Sequence, residues 1–111
     1  MRFEAPLGLF LQAAGARDVL ARLLRNLQEV HRSAEDWPRL LAVQQRLVVL
    51  LPQAWEERRD LGLAWAEVGE RDAAAAELQT YLEQRPGADD AGAIGDRLAE
   101  LRRATGTPRL N

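Results

Sequence analysis

The stretch Leu61-Gly62-Leu63-Ala64-Trp65-Ala66-Glu67-Val68-Gly69, with Ala74, Leu78 and Pro86 after it, decides the fold. Leu61, Ala64, Trp65 and Val68 recur at the helical spacing of one face. Gly69 supplies a stop, because a left-handed residue at a helix C-terminus is cheap only for glycine. Ala74, Ala75, Leu78, Tyr81 and Leu82 form the inward face of a second helix, from about Asp72 to Gln84, which Pro86-Gly87 closes. Gly62 and Ala74 are small, so the two helices can approach closely, and Trp65 and Leu78 fill the space between them. The reading is a helix–turn–helix hairpin.

Working outward, the hairpin recurs. Leu27 and Leu61 lie 34 residues apart, as do Pro52 and Pro86, and Glu35-Asp36 occupies the turn that Gly69-Glu70 occupies later. Self-similarity at such a period marks stacked helical repeats. The copies span about 21–54 and 55–88. In the first, a helix opening near Asp18 carries Leu20, Leu23, Leu24, Leu27 and His31 on one face. After the polar break Ser33–Asp36, a helix begins near Trp37 with Pro38 in its first turn. It carries Leu40, Leu41, Leu47, Val48 and Leu51 as its stripe and ends at Pro52. The second copy opens with a helix from about Gln53 to Val68. A last helix, about Asp89 to Arg103, presents Ala91, Ile94, Leu98 and Leu101, with two acidic residues at the positive end of its dipole. It is expected to cap the open end of the stack, residues 89–103. Residues 1–15 read as a short helix or arm, punctuated by Gly15, that covers the other end. Residues 104–111 read as a frayed tail.

This pattern resembles the tetratricopeptide repeat (TPR). That family places Leu-Gly before an aromatic residue, then a turn glycine, an alanine, a large apolar residue and a proline. The resemblance implies an all-α fold: two TPR-like helical hairpins and a C-terminal capping helix, wound as a right-handed α–α superhelix. It rests on Leu27, Pro52, Leu61, Gly62, Trp65, Gly69, Ala74, Leu78 and Pro86. Arg58 stands where the family often has tryptophan, and Tyr81 where it has a late alanine. In the first copy Glu35 replaces the turn glycine, Leu40 the small alanine and His31 the aromatic. That hairpin should therefore be more widely spaced.

A second resemblance covers about residues 16–103. It is carried by Ala16–Leu27, with its Leu23-Leu24-Arg25-Asn26-Leu27 run, by Glu57–Leu63, and by Tyr81-Leu82 with Pro86–Ala91. These segments look like the C-terminal TPR region of a bacterial family that joins a transglutaminase-like domain to TPR repeats. Members carry Cys/His chemistry in the preceding domain, so the resemblance brings no catalytic residue to these 111 residues. It implies either an excised C-terminal region or a stand-alone relative without the catalytic half.

Composition agrees with a helical interaction module. The chain has nineteen alanines, nineteen leucines and a single isoleucine, Ile94, and all 15 basic residues are arginine. Strands favour β-branched residues, helices Ala, Leu, Glu, Gln and Arg. No cysteine excludes disulfides and thiolate chemistry. One histidine, His31, and one serine, Ser33, leave little for a triad or a zinc site. A net charge of −2 argues against a dedicated nucleic-acid binder. No run approaches a membrane span. The apolar run Leu7–Leu11 is short for a signal peptide and Glu4 sits where positive charge is expected, so the cytoplasm is the default location. Neither enzyme activity nor a cofactor is expected.

TPR pairs usually bind through the concave surface made by the first helix of each repeat. The family's register implies groove-facing Arg22, Arg25, Glu29, Arg32, Glu56, Arg59, Leu63 and Glu67. The four arginines would suit an acidic segment or the C-terminus of a polypeptide, since guanidinium pairs bidentately with carboxylate. The alternative is a solvated face with local Glu partners. Asn26 lies where peptide-binding TPR domains carry a backbone-contacting asparagine, or else bonds within the bundle. His31 reads as a packed histidine, Trp37 and Trp65 as core fillers, and Trp55 either as a partly exposed aromatic that contributes to a contact surface or as a wedge between repeats. The carboxylates Glu56-Glu57, Glu70 with Asp72, and Asp89-Asp90 are explained as helix starts. The expected function is non-catalytic binding of a protein or peptide segment, or of a neighbouring domain. Self-association, as a monomer–weak homodimer equilibrium, is the alternative.

Overall fold

The structure, a computed structural model, describes residues 14–106. Its elements there are α1 (Ala14–Ser33), α2 (Trp37–Leu50), α3 (Trp55–Glu67), α4 (Arg71–Gln84) and α5 (Ala91–Gly106). Each packs on the next in sequence order, α1 on α2, α2 on α3, α3 on α4 and α4 on α5. The arm read over residues 1–15 lies outside the described residues up to Ala13. Gly15 does not punctuate: it sits inside α1, because a lone glycine costs a helix only about 1 kcal/mol and does not stop it. At the other end α5 runs on through Gly106, beyond the expected stop at Arg103.

The repeat is visible in the backbone itself. Asp36 N–H bonds the His31 carbonyl, and Glu70 N–H bonds that of Trp65. Leu51 bonds Leu47 as Arg85 bonds Tyr81, and Ala54 bonds Leu51 as Ala88 bonds Arg85. Each pair is offset by 34 residues. Among the described residues the two left-handed ones obey the same offset, Glu35 at φ 55° and Gly69 at φ 88°. Glu57 N–H to Ala54 recurs as Ala91 N–H to Ala88, so α5 enters as the first helix of a further repeat would.

Local rules explain the starts. Asp36 caps α2, its carboxylate accepting the Arg39 N–H at 3.3 Å, with Pro38 in the first turn. The Arg39 guanidinium, 2.7 Å from Asp36, holds that carboxyl below the usual range. The main core lies between α3, α4 and α5. Ala74, Leu78 and Tyr81 pack there against Ile94, Leu98 and Leu101, with Trp55, Leu63, Trp65 and Leu82 along its edges. Burying each large side chain of this set stabilises by about 1.5–3 kcal/mol. Gly62 is where α3 and α4 touch: a β-carbon there would lie 2.8 Å from Leu78 Cδ2.

The first hairpin is built differently. Leu40, Val43 and Leu47 of α2 are buried, and Ala21 of α1. Leu24, Gln28 and His31 are half-buried, whereas Leu20, Leu23 and Leu27 are exposed. The one apolar face read on α1 therefore divides, and only part of it meets α2. Backbones of α1 and α2 approach closely over less of their length than those of α3 and α4.

Candidate functional site

The first helices of successive repeats, α1, α3 and α5, line one side of the stack and leave a concave cavity of about 720 Å3. Its apolar floor is Leu40, Leu63, Ala64 and Ile94, with Trp37 at one edge. Its polar lining comes from Gln28 and Arg32 on α1, Gln44 on α2, Arg59, Asp60 and Glu67 on α3, and Asp90 before α5. The volume falls in the range of ligand-binding clefts, which combine apolar walls with a few convergent polar groups.

One wall is a buried polar network. Glu57 is 6% exposed and Gln44 is fully buried. Arg25 reaches across from α1, donating Nε and Nη2 to Glu57 Oε2 at 3.1 and 2.9 Å. Gln44 Nε2 donates to Glu57 Oε1 at 3.0 Å and to the Glu57 carbonyl at 3.3 Å. Gln28 donates from Nε2 to the Gln44 side-chain oxygen and, at 3.5 Å, to Glu57 Oε1. A buried carboxylate is costly unless paired and hydrogen-bonded. Here each Glu57 oxygen has a donor, and among the described residues no buried polar side-chain atom lacks a partner.

The other wall centres on Asp90. Tyr81 Oη donates to Asp90 Oδ1 at 2.6 Å, and Arg59 Nη1 donates to Asp90 Oδ2 at 3.0 Å. Arg59 Nε also donates to Asp60 Oδ1 at 2.9 Å, and its guanidinium stands 5.8 Å over the Tyr81 ring. The Tyr81 hydroxyl, followed by Arg59, holds the Asp90 carboxyl below its usual range. Burial, reinforced by Asp90, pushes the Tyr81 phenol up. Burial works against the Arg59 charge, but Asp60 and Asp90 outweigh it and hold the group protonated more firmly than usual.

Of the residues read as groove-facing, Arg32, Arg59, Leu63 and Glu67 line the cavity together. Arg25 instead bridges α1 and α3 beside it. Glu29 pairs with Arg32 at 3.0 Å but does not itself line the cavity. Arg22 and Asn26 are exposed on α1 and do not line the cavity. Glu56 pairs with Arg85 at 3.2 Å in a separate cleft that shares Arg59 and Asp90. Trp37, read as a core filler, is half-buried and lines the cavity. Trp65 is half-buried against the Leu78 core, and Trp55 is half-buried with Arg58 6.0 Å from its ring. Arg58 also pairs with Glu77 at 3.2 Å. Sequence reasoning missed Gln28, Gln44, Asp60 and the fit of Asp90. The 34-residue offset held the signal for two of them: Gln28 aligns with Gly62 and Gln44 with Leu78, so polar pairs stand where the second copy has an apolar contact. Among the described residues no cluster of His, Cys, Asp or Glu could hold a metal ion, and no helix is long and apolar enough to cross a membrane.

Comparison with known proteins agrees with the repeat fold. The chain is 33% identical over 102 residues to a UPF0162 protein of Xylella fastidiosa strain Temecula1, covering 88% of this chain and 36% of that one. It is 33% identical over 98 residues to a UPF0162 protein of strain 9a5c, covering 88% and 35%. It thus spans about a third of the length of the curated relatives it matches. No solved structure matches it. The tetratricopeptide repeat family model matches residues 27–99, over the helices that carry the offset of 34. With its repeated turns, its left-handed pair and its stacked hairpins, the chain belongs to the tetratricopeptide repeat family.

Proposed function

We propose that this chain is a non-catalytic interaction module whose concave groove holds a segment of another protein or the face of a neighbouring domain. TPR domains generally mediate protein–protein interaction. The observation that carries the reading is the cavity between α1, α3 and α5, with an apolar floor and polar groups converging on it. An extended or helical segment would set apolar side chains on Leu40, Leu63 and Ile94. Its backbone amides would meet Gln28 and Glu67.

Charge narrows the partner. Arg59 is balanced by Asp60 and Asp90. Arg32 is tied to Glu29, an exposed pair of the kind that contributes little. One carboxylate, from an acidic side chain or a polypeptide terminus, is therefore better supported than an acidic run, and the balance also disfavours nucleic acid. The neighbouring-domain form of the reading is supported by the relatives, of which this chain spans about a third. It is supported too by the resemblance to the C-terminal region of transglutaminase-like proteins.

A photo-crosslinking residue at Leu63, compared with one at exposed Glu83, tests the proposal in cell lysate. A protein adduct at position 63 and none at 83, lost with Arg32→Glu, is expected. Equal labelling at both positions, or none at 63, sinks it.

A further inference from the structure

The internal repeat shows what kind of surface α1 leaves open. On α3, Glu57, Leu61 and Ala64 are 6%, 6% and 2% exposed, because α2 lies against that helix. Their equivalents one repeat earlier are Leu23, Leu27 and Val30, and these are 54%, 44% and 58% exposed. Leu20, 49% exposed, extends the stripe by one turn. Leucine and valine thus stand exposed where the second copy buries its side chains under a helix. The terminal face of a helical repeat stack is ordinarily polar.

The spacing selects the occupant. Leu20, Leu23, Leu27 and Val30 follow intervals of three, four and three, the seam of two supercoiled helices. The set is symmetric about Arg25: Leu20 and Val30 lie five residues either side, Leu23 and Leu27 two. A two-fold axis there sets Leu23 of one copy against Leu27 of the other, and Leu20 against Val30, which is the self-complementarity an isologous dimer needs. We propose that α1 pairs antiparallel with α1 of a second copy of this chain through Leu20, Leu23, Leu27 and Val30. The stripe lies on the opposite side of α1 from Arg25 and α3, so the groove stays available and the two readings fail independently.

Analytical ultracentrifugation of the full chain across about 10 µM to 1 mM tests this. The seam is one helix wide and belongs with small, transient interfaces, under about 1,200 Å2, so the range must reach high concentration. A concentration-dependent dimer is expected. Leu23→Glu/Leu27→Glu should make it monomeric with unchanged helical circular dichroism. Asn26→Cys, at the edge of the stripe in a protein with no cysteine, should oxidise to a covalent dimer, while exposed Arg102→Cys should not. The cysteine arm decides the matter if the double variant unfolds. A monomer throughout overturns the proposal. Dimerisation only after residues 1–13 are deleted would mean that the protein's own N-terminus covers the stripe. A monomer before and after deletion would assign it to a different polypeptide. A dimer indifferent to both stripe variants would place the contact elsewhere.

Discussion

The two hairpins share a backbone plan but differ in what fills it. Between α3 and α4, Gly62 meets Leu78, and the contact is dry and close. Between α1 and α2, the same two positions hold Gln28 and Gln44, which bond each other and reach on to Glu57 of the next hairpin. One hairpin is held by packing and the other by a polar network shared with its neighbour. The turn differs likewise, with Gly69 at φ 88° against Glu35 at φ 55°. The second hairpin is the better local solution, and the first depends on α3 to satisfy it.

The largest effect should come from Leu78→Ala, fully buried in the second hairpin, at about 2–5 kcal/mol. Urea denaturation would check it, and a loss under about 1 kcal/mol would mean that the core is elsewhere. Gln44→Leu gives the first hairpin the side chain of the second, yet removes two donors from Glu57. It should cost about 1–3 kcal/mol, because a buried acceptor left without its partner carries its desolvation penalty. A neutral or stabilising result by the same assay would show that the network is dispensable.

Gly62→Ala should destabilise by about 1–3 kcal/mol, since the new methyl meets a leucine with no room to retreat. The equivalent change in the first hairpin, Gln28→Ala, meets no such wall. Similar melting temperatures for Gly62→Ala and wild type would remove the close approach from the account.

Tyr81→Phe should cost about 1 kcal/mol at neutral pH through the lost bond to Asp90. Its pH dependence is the sharper test. Asp90 has a lowered folded pKa, so its contribution is full above the ordinary carboxylate value near ~4 and fades as pH falls through the folded one. Tyr81 has a raised one, so its contribution is full below ~10 and fades as pH rises through the folded value. Melting curves of the phenylalanine variant should lose the alkaline decline and part of the acid one. Profiles parallel to wild type at both ends would contradict the pairing. Smallest of all, Glu35→Gly should stabilise by up to about 1 kcal/mol by relieving a left-handed side chain, and Gly69→Ala should cost about as much. Opposite signs in differential scanning calorimetry would refute the shared turn.

The sequence by itself determined the period, the helical class and the turn positions. Those rest on near-neighbour chemistry: glycine at a left-handed turn, proline after a helix, apolar residues at helical spacing. The resemblance to the tetratricopeptide repeat implied eight groove-facing residues, of which the fold brings Arg32, Arg59, Leu63 and Glu67 to one cavity. Only the tertiary structure decided which side of α1 is covered. Periodicity fixes angles around a helix, but burial depends on which helix stacks against which face, and the equivalent Leu27 and Leu61 are 44% and 6% exposed. The stacking likewise set Arg25 on Glu57 and Arg59 on Asp90, across 32 and 31 residues. Arginine reaches far enough to choose among several carboxylates at that range, so the choice is made when the helices pack and not before.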